Sequence, residues 1–232
     1  MRIRVSSGIA FFFLTIAANA SAAIITEYDL DTQPGTQMTQ SATSSASNVV
    51  GLDMQRGPGL IPRPTNNFDT FTSIGFDNAA DDYVTFGFSV DPGFQVNLDD
   101  LRIGLAGSGG TPNQFQLFFS GDNYASSLAT FDFVTTSDVN TIVPLASLGT
   151  LTGLVQFRLL ATSTTPVDLD PLGTTRTSRL FVFNYADLDG VVGTGSVSFN
   201  GTVTAVPEPA SLALLGIVST LGWVNRRRLT KA

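Results

Sequence analysis

The chain has no cysteine and no histidine, and its only lysine, Lys231, stands next to the last residue. The first absence excludes disulfide staples, a thiolate nucleophile and Cys-type metal sites. The second excludes Ser-His-Asp and Cys-His catalysis together with the ordinary zinc and copper ligand sets. Tryptophan is confined to Trp223 near the C-terminus, so the remaining aromatics with a polar group are Tyr28, Tyr83, Tyr124 and Tyr185. Any chemistry rests on Asp, Ser, Thr, Asn, Tyr and a few Arg.

Positive charge is scarce as well. Residues 23–205 hold six arginines against eighteen carboxylates, a net charge near −12. Such a body repels nucleic acid and anionic membrane surfaces, leaving neutral glycans, cations and basic proteins as partners. The stretch between the two ends, about 180 residues, is one domain with room for a real core.

Both ends read as addresses. Arg2 and Arg4, the apolar stretch Ile9–Ala18 and the small residues Ala20-Ser21-Ala22 make residues 1–22 a secretory signal peptide, cut after Ala20 or Ala22. The expected partners are a secretion translocon and a signal peptidase; retention as a membrane helix is disfavoured by the shortness of the stretch. At the other end, residues 206–232 contain Pro207-Glu208-Pro209, an apolar run of 15 residues from Ala210 to Val224, and Arg226-Arg227-Arg228. The prolines stop any element arriving from upstream, and the arginines hold their end in the cytoplasm. As a helix the run measures about 22 Å against a hydrocarbon core of about 30 Å, which describes a short transmembrane helix suited to transient inner-membrane anchoring. The competing reading, a buried C-terminal helix of the soluble domain, fits poorly with a terminal arginine cluster.

Taken in that order, the three parts resemble the PEP-CTERM sorting signal of exported bacterial proteins. The resemblance implies that an exosortase, a membrane-embedded thiol transpeptidase-like enzyme, recognises Pro207, Glu208 and Pro209, with Arg226, Arg227 and Arg228 closing the signal. It also implies removal of the tail and release or fixation of the protein at the outer envelope surface or in an exopolysaccharide matrix.

In the body, Val84, Phe86, Phe88 and Val90 share one face while Tyr83, Thr85, Gly87 and Ser89 share the other, the pattern of a half-buried strand. The same alternation marks Leu101/Ile103/Leu105, Phe115/Leu117/Phe119, Phe131/Phe133, Val155/Phe157/Leu159, Leu180/Val182/Asn184 and Val197/Phe199/Gly201/Val203. Turn clusters such as Asp91-Pro92-Gly93, Gly121-Asp122-Asn123 and Asp189-Gly190 separate them. The prediction is an all-β fold, a single antiparallel β-sandwich of jelly-roll type over residues 23–205. Residues 32–48 read as a solvated edge strand or a loose lead-in.

A second resemblance covers most of this body. Asn48-Val49-Val50, Arg56-Gly57-Pro58-Gly59-Leu60, Asn67-Phe68, Gly75-Phe76 and Ala80-Asp81-Asp82-Tyr83-Val84-Thr85-Phe86 are similar to the opening of a β-sandwich module of PEP-CTERM proteins. Pro92-Gly93-Phe94, Ser120-Gly121-Asp122-Asn123-Tyr124, Phe157-Arg158-Leu159 and Ser198-Phe199-Asn200-Gly201-Thr202-Val203 continue it. The 162–195 region is longer than in that module. The module resembles jelly rolls of the galactose-binding and carbohydrate-binding kind, and likeness of fold does not transfer binding.

Candidate sites reduce to carboxylates and tyrosines. Asp187 with Asp189, and next Asp168 with Asp170, offer hard oxygen ligands for calcium, as do Asp81-Asp82 and Asp99-Asp100; the alternative is that all are turn residues and solubilising charges. No cofactor other than calcium is implied. For glycan contact the choice falls on Tyr124 and Tyr185, because a tyrosine ring stacks on a sugar while its hydroxyl bonds nearby; the phenylalanines read as core. Arg158 alternates with Phe157 and Leu159, so it faces outward and bridges to an acidic neighbour, and the Arg56 segment reads as a fixed turn against the sheet. Asn200-Gly201-Thr202 reads as a bulge rather than a glycosylation acceptor. The expected function is that of a non-catalytic exported surface or matrix protein; a carbohydrate-binding module, calcium-dependent or not, is the alternative. An Asp-dependent glycoside hydrolase ranks third.

Overall fold

The computed structural model describes residues 23–63, 69–107, 109–133, 139–167, 179–185 and 195–206. The expected signal peptide and the sorting residues Pro207, Glu208, Pro209 and Arg226 to Arg228 lie outside the described residues, as does the apolar run 210–224. Among the described residues no helix is long and apolar enough to cross a membrane.

The described strands are β1 (Ala23–Tyr28), β2 (Pro34–Gly35), β3 (Thr39–Gln40), β4 (Ser44–Ser45), β5 (Val49–Gly51), β6 (Met54–Arg56), β7 (Ile61–Pro62), β8 (Thr70–Ile74), β9 (Tyr83–Val90), β10 (Phe94–Ala106), β11 (Gln114–Phe119), β12 (Ser127–Asp132), β13 (Val139–Pro144), β14 (Thr150–Leu151), β15 (Leu154–Ala161), β16 (Arg179–Phe183) and β17 (Val197–Ala205). They form two sheets, so the expectation of an all-β sandwich holds. In the first, the long β10 pairs with β13 and β14 along one edge and with β17 and β16, end to end, along the other. Beyond β17 lie β1 and β4; beyond β16 lies β8, flanked by β2 and β7. The second sheet runs β12-β11-β15-β9, with β5 and β6 end to end on the far edge of β9 and β3 outside β6. Residues 32–48 supply only two-residue edge strands, in line with a solvated lead-in.

Alternation sets the core. Val84, Phe86, Phe88 and Val90 are all buried, as are the inward sets of β11 and β15. In β10 the phase changes: Val96 and Leu98 are buried, and so are Leu101, Ile103 and Leu105. A register shift between Leu98 and Asp100 inserts one residue, which turns the odd spacing back onto the same face. Phe199 of the first sheet enters the phenylalanines of the second, with ring centroids 4.8 Å from Phe157, 5.8 Å from Phe86 and 5.7 Å from Phe88. Each such ring contributes roughly 1.5–3 kcal/mol through burial.

Two side chains stitch the sheets through polar contacts. Between the β5 and β6 pairings, Gly87 of β9 has no strand partner for its N–H, and Tyr28 of β1 crosses the core to accept it at 2.9 Å. The same hydroxyl lies 2.8 Å from the Leu52 and Gly87 carbonyl oxygens, which share its single proton. Burial holds its pKa well above the ordinary phenol value. Arg56 of β6 donates to the Gln37 and Met38 carbonyls at 2.8 and 3.1 Å and to Thr72 of β8 at 2.6 Å, with its guanidinium 3.8 Å over the Phe71 ring. Burial lowers its pKa to about 10, which still leaves it charged at neutral pH.

The turn after Arg56 docks on the start of β9. Gly57 N–H donates to Tyr83 O at 2.7 Å and Gly59 N–H to Asp81 O at 3.3 Å. A Cβ at Gly57 would strike the Asp81 carbonyl, and one at Gly59 the Asp82 carboxylate. Both glycines are there for close approach.

Candidate functional site

A concavity of about 530 Å³ opens on the outer face of the first sheet. Glu27 and Asp29 reach it from β1 and the residue after it, Arg102 from β10, Ser198 and Asn200 from β17, and Tyr185 from the segment after β16. Their inward neighbours are core residues, so period two aims these polar groups away from it. Glu27 accepts from Ser44 Oγ at 2.6 Å and from Ser196 Oγ at 3.1 Å. Asp100 accepts from Asn200 Nδ2 at 2.7 Å and from Arg102 Nε at 3.3 Å. Arg102 is also 5.9 Å from the Tyr185 ring. The result is a tyrosine plane beside fixed donors and acceptors, the equipment for hydrogen bonding a polyhydroxylated ligand.

Asn184 anchors this rim. It is fully buried, accepts from Leu30 N–H at 3.0 Å, and donates to Asp29 at 3.0 Å and Asp31 at 2.9 Å. In the sequence it stands only as the last member of the Leu180/Val182/Asn184 alternation; a polar residue at that core phase is the signal that could have found it.

On the second sheet, Arg158 points outward as expected, but its neighbours are rings rather than an acid. Its guanidinium lies 4.2 Å from the Tyr83 centroid and 3.9 Å from that of Tyr124. Tyr124 donates to Gln156 Oε1 at 2.8 Å. The two tyrosines chosen for glycan contact therefore stand on opposite outer faces and cannot share one site. Tyr185 joins the concavity; Tyr124 does not.

The carboxylate pairs divide. Asp187, Asp189, Asp168 and Asp170 lie outside the described residues, and among the described residues no cluster of three or more potential metal ligands occurs. Asp82 accepts from the Asp77 and Ala79 N–H groups at 2.9 and 3.1 Å and shares a side-chain hydrogen bond with Asp77. Burial, then that bond, raises the pKa of Asp82, and the same bond lowers that of Asp77. Glycosidases hold two carboxyl groups about 5 Å or more apart across a substrate bond, whereas these two bond each other and cap a turn. Asp99 sits at the β10 bulge and Asp100 is engaged by Arg102 and Asn200. The bulges beside Asn200-Gly201 lie in the partner strands, at Ile24/Thr26 of β1 and Leu98/Asp100 of β10, not in β17 itself. Gly201 is required there because a Cβ would meet the Asn97 carbonyl.

Sequence reading missed Glu27, Arg102 and Asn200. Each is an outward polar residue on adjacent strands, a juxtaposition visible only once β1, β17 and β10 are known to be neighbours.

Residues 205–228 match the family model described as the PEP-CTERM protein-sorting motif. Pro207, Glu208, Pro209 and Arg226 to Arg228 fall within the match, so the chain carries an exosortase-directed signal and is an exported protein with a membrane-associated C-terminal sorting segment. No curated protein and no solved structure matches the chain.

Proposed function

We propose that this chain is a non-catalytic β-sandwich that an exosortase severs from its tail and that then serves at the outer envelope surface or in the exopolysaccharide matrix of a biofilm. Fold and signal adjoin: β17 closes at Ala205, and the matched motif begins at the same residue. That adjacency carries the reading, because cutting just beyond it frees a complete sandwich. Entry to the pathway is assigned to residues 1–22 through the translocon and a signal peptidase. The strand orders favour a jelly roll, since β1-β17-β10-β13 faces β9-β15-β11-β12 and, apart from the β11–β12 hairpin, these eight strands alternate sheets in chain order as in paired Greek keys. Replacing Glu208 by Ala is expected to leave a longer, membrane-held form in cell fractions; an unchanged mature mass contradicts the assignment.

The second reading is a carbohydrate-binding module, favoured by the concavity around Tyr185, Arg102 and Asn200. Asp187 and Asp189 fall in sequence between Tyr185 and Gly195, both of which line it, so a calcium requirement belongs to this reading. A ligand held only by the folded form raises the melting midpoint. Flat melting curves with calcium and no retention on neutral or acidic glycan gels reject it.

A further inference from the structure

We propose that the outer face of the second sheet holds a separate binding site for a carboxylate of a uronic-acid-bearing polysaccharide, with Arg158 as the anion-binding group between Tyr83 and Tyr124. The first ground is the guanidinium itself. In a body with three carboxylates for every arginine, Arg158 pairs with none: no described residue accepts a hydrogen bond from it, and its Nε, like that of Arg56, is buried without a partner. Arg56 spends its Nη donors on three carbonyls and Arg102 bonds Asp100. Arg158 is instead fixed by ring faces at 4.2 and 3.9 Å, which orient the fork and leave its Nη donors for an incoming group.

The second ground is the strain used to build the slot. Asn123 and Tyr124 both adopt left-handed backbone, at φ 58° and 60°, a costly conformation for a bulky side chain. It is enforced by a tight turn: Tyr124 N–H donates to Phe119 O at 2.9 Å, and Asp122 accepts from Ala125 and Ser126 N–H at 3.2 and 3.0 Å. The outcome is a Tyr124 ring laid on Arg158 with its hydroxyl on Gln156. Gln156 is itself pinned by its backbone N–H to Ser120 Oγ at 3.0 Å, and its side-chain nitrogen has no acceptor among the described residues. A tyrosine held in left-handed backbone with its ring on an unpaired cation points to a ligand.

The chemistry of the slot selects the ligand. The planar fork of Nη donors matches the two oxygens of a carboxylate. The Gln156 amide beside it suits a hydroxyl on the same sugar. A body of net charge near −12 repels polymers with one charge per small unit, so the fit is a uronate within a polyhydroxylated chain, not a nucleic acid. The site rests on the reading of a polysaccharide-rich surroundings only for where the ligand is met; binding itself is a property of the purified chain.

The test is calorimetric titration of the full chain in detergent with a galactose tetramer bearing a single galacturonate residue, its methyl ester, a neutral galactose pentamer and an acetylated aspartyl peptide. The acid form is expected to bind, and the other three at least about tenfold more weakly, the scale of one charge-assisted bidentate contact. Arg158→Gln and Arg158→Lys should each lose about tenfold or more, because lysine keeps the charge but not the fork. Thr150→Ala, exposed in β14 at the edge of the first sheet and outside both sites, should bind as the parent does. Melting midpoints identify any variant that fails to fold, and the lysine form then carries the comparison. Equal binding of ester and acid, equal affinity of Arg158→Lys, preference for the peptide, loss on Thr150→Ala or no binding at all each overturns the proposal. None of these results bears on tail processing.

Discussion

Two arginines stacked on aromatic rings show how differently the seam between the sheets and the outer face of the second sheet are built. Arg56 lies in the seam, tied through its Nη atoms to carbonyls on β8 and the lead-in, and Tyr28 crosses the same interior to complete β9. Arg158 has the same kind of stacking and no acceptor. Where polar groups serve the fold, backbone partners meet them; where they are held ready and unmet, the fold has spent strain on something other than itself.

Substitutions should separate the regions by stability. Arg56→Ala leaves three carbonyls of the seam without their donor and is expected to cost about 3 kcal/mol or more in urea unfolding. A loss under about 1 kcal/mol would erase the distinction. Tyr28→Phe strands the Gly87 N–H and should cost about 1–2 kcal/mol, read the same way. On the outer face, Arg158→Gln forfeits only ring contacts, about 1 kcal/mol at most, while removing ligand binding; a cost equal to that of Arg56→Ala would make Arg158 part of the seam.

The smallest effect concerns the turn capped by Asp77 and Asp82. The raised pKa of Asp82 gives stability present below the ordinary carboxylate pKa and lost as pH rises through the raised value. The lowered pKa of Asp77 gives stability present above the ordinary value and lost as pH falls through the lowered one. The pair therefore stabilises most in the weakly acidic window between the two. Asp82→Asn, which donates permanently to Asp77, should remove the decline toward neutral pH; melts across about pH 4 to 7 that still decline in parallel with the parent point to other groups.

Much of this contrast is absent from the bare sequence. Alternation located the core strands because a sheet with one wet face imposes period two, and it placed Asn184 at a buried phase without assigning it a role. It failed at Leu98 to Leu101, where a bulge shifts the phase and only the pairing with β17 reveals the extra residue. Arg158 was legible as outward but not as unpaired: Tyr83 is its diagonal neighbour across β9 and β15, and Tyr124 arrives from a turn beyond β11. Such contacts depend on strand order, which a local pattern does not encode. The sorting tail was legible because its parts act in sequence order, each through its own solvent preference.

Delivery by a removable tail is tested by the intact mass of native protein recovered separately from cytosol, membrane, envelope and medium. Exosortase processing predicts an exported species that ends near Pro207-Glu208-Pro209 and lacks Trp223 and Arg226 to Arg228. A full-length cytosolic protein that keeps Trp223 contradicts it.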